Sequence, residues 1–351
     1  MNELQKSQIK SLIDTLNLDL SGLTVYTEAA SGAYLFNPFV ALMAGAERVY
    51  AQSTDSSYAS FEQVKQSNLE LAEKLGFAKK FEIFNFRDHR RLRKSDIVTN
   101  SNFVRPIDND LIKQLKPTAS LPLMWETWEV REVDFDLQAC RDYDIATLGT
   151  NEHEPPVDML PFNGLLALKL IFELGYDCGK VLLLGSPDIF AGPMKAYMSK
   201  VGIPVTRIGC TQECEHSYAE LTTHFEQHGH EYSFIILAEQ QLHTEILGKH
   251  GFLSFETVQA INPHIKLGVI SGGIDVQALE KCNIAYSPKR IAPGGFMSYQ
   301  LYRLGFLPVV TLFAGGLKVG ERMTRNRLAG MSRRDAEVEA LTSSPAMDFP
   351  A

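Results

Sequence analysis

The feature that most constrains the fold of this chain is a regular alternation of short apolar runs with segments of helical pattern. Parallel strands need a crossover connection, usually a helix, so this alternation is typical of a parallel sheet covered by helices. Candidate strands lie at residues 23–29, 48–54, 80–86, 96–102, 119–125 and 144–150. A second set follows at residues 180–186, 203–209, 234–240, 267–273 and 284–288. The pattern predicts an α/β protein.

The two sets of strands are separated by NEHEPPVDMLPFNG, residues 151–164, which contains three prolines. A chain of 351 residues is long enough to bury two cores. We therefore predict two Rossmann-like lobes, each with a parallel sheet, and a cleft between the lobes. Residues 1–160 form the first domain, of Rossmann-like or flavodoxin-like fold, completed by residues 315–351, and residues 175–312 form the second.

Charge and hydropathy exclude several classes of partner. The formal net charge of -8 argues against nucleic acid and anionic membranes, because both bind clustered Lys and Arg. No apolar run reaches the roughly 20 residues that span a bilayer, and the N-terminus MNELQKSQIK has no apolar signal core. The sequence predicts a cytoplasmic protein whose five cysteines are reduced.

A turn of small residues follows the first strand of the second set, with Gly185, Ser186, Ala191 and Gly192. Backbone N–H groups at such a turn, together with a helix N-terminus, can bind a pyrophosphate. Seven positions separate Gly185 from Gly192, instead of the compact G-x-G-x-x-G spacing. The turn is therefore typical both of a dinucleotide site and of an ordinary strand-to-helix connection.

The motifs VISGGIDVQAL (residues 269–279) and YSPKRIAPGG (residues 286–295) follow this turn in a fixed order. The block that they close resembles the cofactor domain of the D-isomer-specific 2-hydroxyacid dehydrogenases, and residues 108–152 resemble a segment of the other domain in that family. The resemblance implies NAD or NADP as cofactor, a small carboxylate-bearing substrate and a homodimer. It makes residues 175–312 the dinucleotide-binding domain and residues 1–160 the substrate domain.

The turn and the resemblance together predict the residues that contact the cofactor. These are Gly185, Ser186, Asp188, Ile189, Phe190, Arg207, Ala238, Glu239, Ser271, Gly272 and Gly273. An acid at the end of the second strand is the usual signature of NAD, because it binds the ribose 2′-hydroxyl. This chain has Thr206 and Arg207 there, and an arginine can pair with a 2′-phosphate. NADP is therefore slightly favoured.

The catalytic residues of the resembled family are replaced in this chain. Gly272 and Gly273 stand where the family has an arginine, and Lys289 stands where it has its acid–base histidine. Burial in a cleft and the charge of Arg290 would lower the pKa of Lys289 enough for proton transfer; an exposed loop lysine is the alternative. Glu126 and Glu28 are the other catalytic candidates.

Polar residues at the ends of the first-domain strands are predicted to bind the substrate. They are Ser31, Asn100, Arg105, Trp125, Arg131, Asn151 and Glu152. An arginine suits a carboxylate because its planar fork donates two parallel hydrogen bonds. The alternative for Arg105 and Arg131 is an ordinary salt bridge with Asp108 or Glu129.

The segment 210–230 is rich in cysteine and histidine, but its C-x3-C-x-H spacing matches no common zinc pattern, so no metal is predicted. The sequence thus predicts an NAD(P)-dependent oxidoreductase acting on a small 2-oxo, 2-hydroxy, imino or amino acid in the cleft between the lobes. The altered turn and the missing arginine and histidine keep an alternative open. The alternative is a non-redox enzyme, either a lyase or a hydrolase, or a ligand-binding protein, in which the cofactor is lost or purely structural.

Overall fold

The computed structural model describes residues 1–186 and 188–350. The chain divides into two compact units. The first unit comprises Met1–Asp158 and the C-terminal segment from Gly305 onward, and the second unit is Met159–Leu304. Residues 305–312, which the sequence assigned to the second domain, lie in the first unit, because residues 307–328 form one continuous helix there.

The part of the first unit before residue 159 alternates strands with helices. Its helices are α1 (Glu3–Leu16), α2 (Asn37–Met43), α3 (Phe61–Lys74), α4 (His89–Leu92), α5 (Asn109–Ile112) and α6 (Leu137–Asp142). Its strands are β1 (Thr24–Glu28), β2 (Arg48–Gln52), β3 (Phe81–Phe84), β4 (Ile97–Val98) and β5 (Gly149–Thr150). Short 3-10 helices cover Gly32–Phe36 and Thr127–Glu129.

The second unit has the same alternation. Its helices are α7 (Leu160–Glu173), α8 (Ala191–Lys200), α9 (Leu221–His228), α10 (Phe255–Ile261) and α11 (Val276–Lys281). Its strands are β6 (Lys180–Leu184), β7 (Val205–Ile208), β8 (Tyr232–Ala238), β9 (Glu245–Leu247), β10 (Lys266–Ser271), β11 (Gly273–Ile274) and β12 (Ala285–Ser287). Its 3-10 helices are Tyr218–Glu220, Gly229–Glu231 and Leu301–Leu304.

The C-terminal segment returns to the first unit. It consists of α12 (Leu307–Leu328), α13 (Arg333–Ser343) and β13 (Ala346–Met347). The short strand β13, which the sequence does not predict, pairs with β5 in antiparallel fashion. None of the helices in the described part of the chain, α12 included, is long and apolar enough to cross a membrane.

The sheet of the first unit is parallel, with strand order β3-β2-β1-β4. Isolated parallel bridges from Ile97 to Ser120 and from Ser120 to Ala146 extend it beyond β4. Residues 119–125, predicted as a strand, pair through these bridges and through single hydrogen bonds from the Leu123 N–H to the Leu148 carbonyl and from the Thr150 N–H to the Trp125 carbonyl, while Pro122 in their middle has no N–H to donate. The order β3-β2-β1-β4, continued by the segments at Ser120 and at Ala146, is the doubly wound arrangement 3-2-1-4-5-6 when strands are counted along the chain.

The sheet of the second unit is also parallel, with strand order β7-β6-β8-β10-β12. This is the doubly wound order 2-1-3-4-5, whose direction reverses between β6 and β8. Successive residues of β6 alternate between two apolar clusters: Leu182 and Leu184 pack in one, Val181 and Leu183 in the other. Both faces of the sheet are thus covered. The predicted α/β class with parallel sheets is confirmed.

Candidate functional site

Polar side chains gather where the strands of the first sheet end, a region that we call the first-sheet edge. Glu28 ends β1, Asn100 follows β4, and Glu126 and Glu152 follow the extended segments beyond β4. The Oδ1 of Asn100 accepts a hydrogen bond from the Met124 N–H (2.9 Å), and Oε1 of Glu126 accepts one from the Glu152 N–H (3.1 Å). Side chains distant in sequence meet here because the carboxyl ends of parallel strands share one edge.

Glu28 is a buried carboxyl group at the end of β1, with 5% of its surface exposed. Its Oε2 accepts a hydrogen bond from the N–H of Phe103 (3.3 Å). Burial raises the pKa of Glu28, and this effect outweighs the Phe103 hydrogen bond and the charge of Arg105, both of which lower it. Glu28 therefore holds its proton to a higher pH than an ordinary glutamate.

Arg105 and Arg131 both lie against the ring of Trp125, with guanidinium carbons 5.0 and 6.0 Å from the ring centroid. Both pair with one carboxylate, Asp134, at 3.1 Å from Arg105 and 2.6 Å from Arg131. The Nε of Arg105 is buried and has no hydrogen-bond partner in the described part of the chain. A buried arginine donor beside an aromatic ring is suited to a carboxylate ligand.

Three glutamates and a histidine form what we call the acidic cluster: Glu126, Glu129, Glu152 and His153. Glu126 is buried, with 1% of its surface exposed. Its Oε2 accepts a hydrogen bond from Nε1 of Trp128 (2.6 Å), and its Oε1 lies 3.4 Å from Nε2 of His153. Glu129 and Glu152 are partly buried close by.

The acidic cluster contains carboxyl groups that titrate at unusually high pH. Burial first, and then the negative charge of Glu126, raise the pKa of Glu129 to about 7. Burial, with the charges of Glu129 and Glu126, also raises the pKa of Glu152. A carboxyl group with a pKa near 7 can give and take a proton at neutral pH, which is what general acid–base catalysis requires.

Ser31 and Asn151 lie in loops of the first unit. Ser31 precedes the 3-10 helix Gly32–Phe36, and its side chain makes no capping hydrogen bond. Oδ1 of Asn151 accepts a hydrogen bond from the His153 N–H (3.0 Å), while the Asn151 N–H donates to the Pro345 carbonyl (2.9 Å). Asn151 thereby orders the loop that carries Glu152 and His153.

In the second unit, the residues that follow β6 form the Gly185 turn, by which we mean Gly185, Ser186 and Asp188. A Cβ on Gly185 would lie 2.5 Å from the Ala238 carbonyl oxygen, so this position requires glycine. Oγ of Ser186 accepts a hydrogen bond from the Cys210 N–H (3.0 Å), and Asp188 accepts one from Thr211 Oγ1 (3.0 Å). The turn is thus bonded to the loop after β7.

The placement of Arg207 corrects its predicted role. Its side chain is buried beneath the Gly185 turn, where Nε donates to the Gly185 carbonyl (2.9 Å) and Nη2 to the Ser186 carbonyl (2.6 Å). Nη2 also pairs with Asp188 (2.8 Å). These bonds hold the turn, so the guanidinium does not face outward for a 2′-phosphate.

Glu239 follows β8 and is fully buried beside the Gly185 turn. Its Oε2 accepts hydrogen bonds from the Ser186 N–H (2.8 Å) and from the Tyr218 hydroxyl (2.7 Å). Its Oε1 accepts hydrogen bonds from the N–H groups of Gln241 (2.9 Å) and Leu242 (3.1 Å). The carboxylate therefore takes the turn amide that the sequence assigned to a pyrophosphate.

The other predicted cofactor residues lie at the carboxyl ends of the second-sheet strands β6, β8 and β10, or just after them. Oγ of Ser271 donates to the Glu239 carbonyl (3.2 Å). Gly272 has a φ of +130°, and a Cβ on Gly273 would lie 2.1 Å from the Thr244 carbonyl oxygen. Ala238 ends β8. The side chains of Ile189 and Phe190, in contrast, pack into the apolar cluster under α7 and α8.

The burial predicted for Lys289 is wrong. The side chain is exposed, and its Nζ lies 3.8 Å from the ring centroid of Tyr286. The loop after β12 leaves Lys289 at the surface of the second unit, so the side chain matches the alternative of an exposed loop lysine.

The cysteine- and histidine-rich segment forms a row of imidazoles. The ring centroids of His216 and His224 are 4.4 Å apart, and those of His224 and His228 are 5.0 Å apart. Among the described residues, no group of three or more His, Cys, Asp and Glu side chains could hold a metal ion. All five cysteines are free thiols.

Sequence reasoning missed Asp134 and Tyr218, and considered Glu129 only as a salt-bridge partner. Asp134 follows Arg131 by three residues, a spacing that could have suggested the ion pair. Tyr218 meets Glu239 only through the folded chain, and no local pattern indicates that contact.

No protein-family model matches this sequence, and a search of curated proteins finds no match. Solved structures do match. A dipicolinate synthase polypeptide from Bacillus halodurans has a TM-score of 0.51 at 10% identity, over 84% of this chain and 96% of that one. Its counterpart in the dipicolinate synthase of Bacillus subtilis has a TM-score of 0.50 at 10% identity, over 92% and 99%. A 2-hydroxyacid dehydrogenase from Ketogulonicigenium vulgare Y25 has a TM-score of 0.47 at 10% identity, over 88% and 96%.

This chain has the fold of these dipicolinate synthase polypeptides. The likeness covers both units of the chain and is a likeness of fold. The predicted two-lobed α/β fold is confirmed at that level, and the dinucleotide expected from the sequence can be compared with the second unit. The sheet order and the glycine backbone at Gly185 and Gly273 fit such a group. The Ser186 N–H cannot donate fully to a phosphate oxygen while it donates to Glu239.

Proposed function

We propose that this chain is a nicotinamide-dependent oxidoreductase that acts on a small carboxylate-bearing metabolite, a 2-oxo, 2-hydroxy, imino or amino acid. The fold supports a two-domain enzyme of this kind. The observation that carries the proposal is the first-sheet edge, where Arg105 presents a buried unpaired donor beside Trp125 and carboxyl groups of high pKa stand on a neighbouring loop.

In this proposal the arginines hold the substrate carboxylate. The side chains of Arg105 and Arg131 come from different loops, and both lie against the ring of Trp125. A planar carboxylate that lies against this ring could accept hydrogen bonds from the guanidinium groups. Asp134 keeps both side chains in place by accepting from each. Ser31, Asn100 and Asn151 belong to the same edge as neutral polar groups.

The proton of the reaction is assigned to the carboxyl groups of the first unit. A nicotinamide, when bound, supplies or accepts the hydride. Reduction of a 2-oxo acid also needs one proton on the carbonyl oxygen, and Glu126, Glu129 and Glu28 are the groups that we propose to deliver it. Glu129 is the best matched of the three to neutral pH, because its pKa is about 7.

The second unit would hold the dinucleotide at the carboxyl ends of β6 and β8. We propose no preference between NAD and NADP, because the one residue that favoured NADP, Arg207, bonds the carbonyl groups of the Gly185 turn. Ser271, Gly272 and Gly273 line the same edge of the sheet and stay candidates for contact with the cofactor.

A second candidate function is favoured by one specific observation. Glu239 takes the Ser186 N–H, and Asp188 adds another carboxylate to the same turn. Both disfavour an anionic pyrophosphate. In that case the first-sheet edge would serve a non-redox lyase or hydrolase, or a ligand-binding protein, with the same arginines and glutamates and no hydride transfer.

The test is to mix the purified protein with NADH or NADPH and a panel of 2-oxo acids, and to follow the absorbance of the reduced nicotinamide. We expect at least one 2-oxo acid to oxidise the reduced nicotinamide. This activity should be lost in Arg105→Ala and Arg105→Lys, because neither variant keeps the guanidinium fork. Arg93→Ala, which removes an exposed arginine of the same unit, is the matched control and should keep the rate. Consumption of an acid without change in nicotinamide absorbance would select the second candidate.

A further inference from the structure

Glu239 is a buried carboxylate placed where a dinucleotide would need a hydrogen-bond donor. The geometry points to Glu239 as a built-in competitor of the pyrophosphate, so that this residue determines how tightly the second unit binds a dinucleotide. The inference rests on the proposed function, since it concerns the cofactor of that reaction.

The position of Glu239 follows from the order of the second sheet. The strand order reverses between β6 and β8, and in open α/β sheets ligands bind outside the carboxyl ends of strands at such a point. Ser186 follows β6 and Glu239 follows β8, and the two are joined by the 2.8 Å hydrogen bond from the Ser186 N–H to Oε2. One N–H group cannot serve this carboxylate and a phosphate oxygen at full strength.

The carboxylate is held firmly in this place. Besides Ser186, it accepts hydrogen bonds from the Tyr218 hydroxyl and from the N–H groups of Gln241 and Leu242. Hydrogen bonds to a charged acceptor are stronger than those between neutral groups. A ligand that displaces Glu239 from Ser186 must therefore replace a charge-assisted hydrogen bond.

The charges around the turn also oppose an anionic ligand. Arg207 is the cation closest to the turn, but it pairs with Asp188 at 2.8 Å and bonds the carbonyl groups of Gly185 and Ser186. Glu239 is then left with its negative charge beside the site of a pyrophosphate. Like charges at short range repel strongly in the interior of a protein, where screening by water is weak.

Neutralising Glu239 should therefore tighten dinucleotide binding. Glu239→Gln keeps the size of the side chain but removes the charge and replaces one accepting oxygen by an NH2 group. In this variant NADH no longer has to displace a charge-assisted hydrogen bond from the Ser186 N–H. The difference corresponds to about 10- to 100-fold tighter binding of NADH. Glu231→Gln is the matched control: it removes the same charge just before the amino end of β8, where Glu231 pairs with Lys180 and His228. That variant should bind NADH as the unchanged protein does.

A second variant tests the same contact without changing charge. Tyr218→Phe removes one of the donors that hold Glu239, so the carboxylate should leave Ser186 more easily. We expect a smaller gain in NADH affinity, about 2- to 10-fold, because the negative charge of Glu239 remains in this variant. Circular dichroism spectra of each variant verify that the fold is kept.

The experiment is a calorimetric titration of the full-length protein and its variants with NADH. Tighter binding in Glu239→Gln and Tyr218→Phe, with no change in Glu231→Gln, would support the inference. Equally tight binding of NADH to the unchanged protein and to both variants would overturn it while leaving the proposed function intact. No binding of NADH to any of these proteins would overturn the inference and the proposed cofactor together.

Discussion

Replacing Glu129 by glutamine should stabilise the protein at alkaline pH and much less at acid pH. The pKa of Glu129 is about 7 in the folded chain, against 4.5 for a free glutamate. A group whose pKa is raised by folding favours the fold below its unfolded pKa, and that contribution is lost as the pH rises through its folded pKa. The loss should therefore occur between about pH 4.5 and pH 7.

The size of the effect follows from the same two values. The difference between 4.5 and about 7 corresponds to about 3 kcal/mol, at roughly 1.4 kcal/mol for each pKa unit. Glutamine cannot ionise, so Glu129→Gln keeps the stability of the protonated form at every pH. We expect the variant to be more stable than the unchanged protein by about 3 kcal/mol at about pH 8, and by only about 1 kcal/mol at about pH 5.

The assay is urea denaturation followed by tryptophan fluorescence at both pH values. The two tryptophans of the chain, Trp125 and Trp128, lie in the first unit, so the signal reports the unfolding of that unit. Glu132→Gln removes an exposed acid three residues along the same loop and should show no such pH-dependent gain. A gain for Glu129→Gln that is the same at both pH values would refute the reasoning.

Four other substitutions test single features of the structure. Gly185→Ala should destabilise the protein by about 1–3 kcal/mol, because the new Cβ meets the backbone of β8. Gly192→Ala should be neutral or stabilising by about 0.5–1 kcal/mol. Thermal unfolding compares the two variants. Lys289→Met should leave turnover with an accepted 2-oxo acid unchanged, because the side chain is exposed; a large loss of kcat would return it to the mechanism. Asp134→Asn should cost about 1–3 kcal/mol of stability in the urea assay, because two arginines lose their shared carboxylate; an unchanged denaturation midpoint would contradict this.

The sequence predicts the two sheets well because their strands are apolar runs long enough to recognise. β6, with the residues KVLLL, is buried on both faces and is found within its predicted bounds. Two of the shortest strands, β11 and β13, are missed for the opposite reason. β11 and β13 have two residues each, and their pairing depends on contacts with β9 and β5 that no local pattern encodes.

The first-sheet edge could be predicted because the rule behind it is topological. Residues that follow parallel strands lie at one edge whatever their distance in sequence, and Asn100, Glu126 and Glu152 obey this rule. The pKa of Glu129 could not be predicted in the same way. It arises from burial and from the charge of Glu126, and the burial depends on how the rest of the first unit packs around this loop.

The second unit shows where sequence reasoning was insufficient. Gly185 and Ser186 indicate a turn that could bind a phosphate, but the partner of the turn amide comes from Glu239, more than fifty residues later. Lys289 was assigned by its position in a resembled motif, and position in a motif does not determine burial. In both cases the side chain's surroundings are set by tertiary packing, which a local pattern does not contain.

The most direct test of the account is whether a small carboxylate binds at the first-sheet edge through Arg105. Calorimetric titration with pyruvate should give one site for each chain, with affinity reduced by about 10-fold or more in Arg105→Ala, since a charge-assisted hydrogen bond is lost. Arg93→Ala should bind pyruvate as the unchanged protein does. Binding of pyruvate to Arg105→Ala with unchanged affinity would contradict the account.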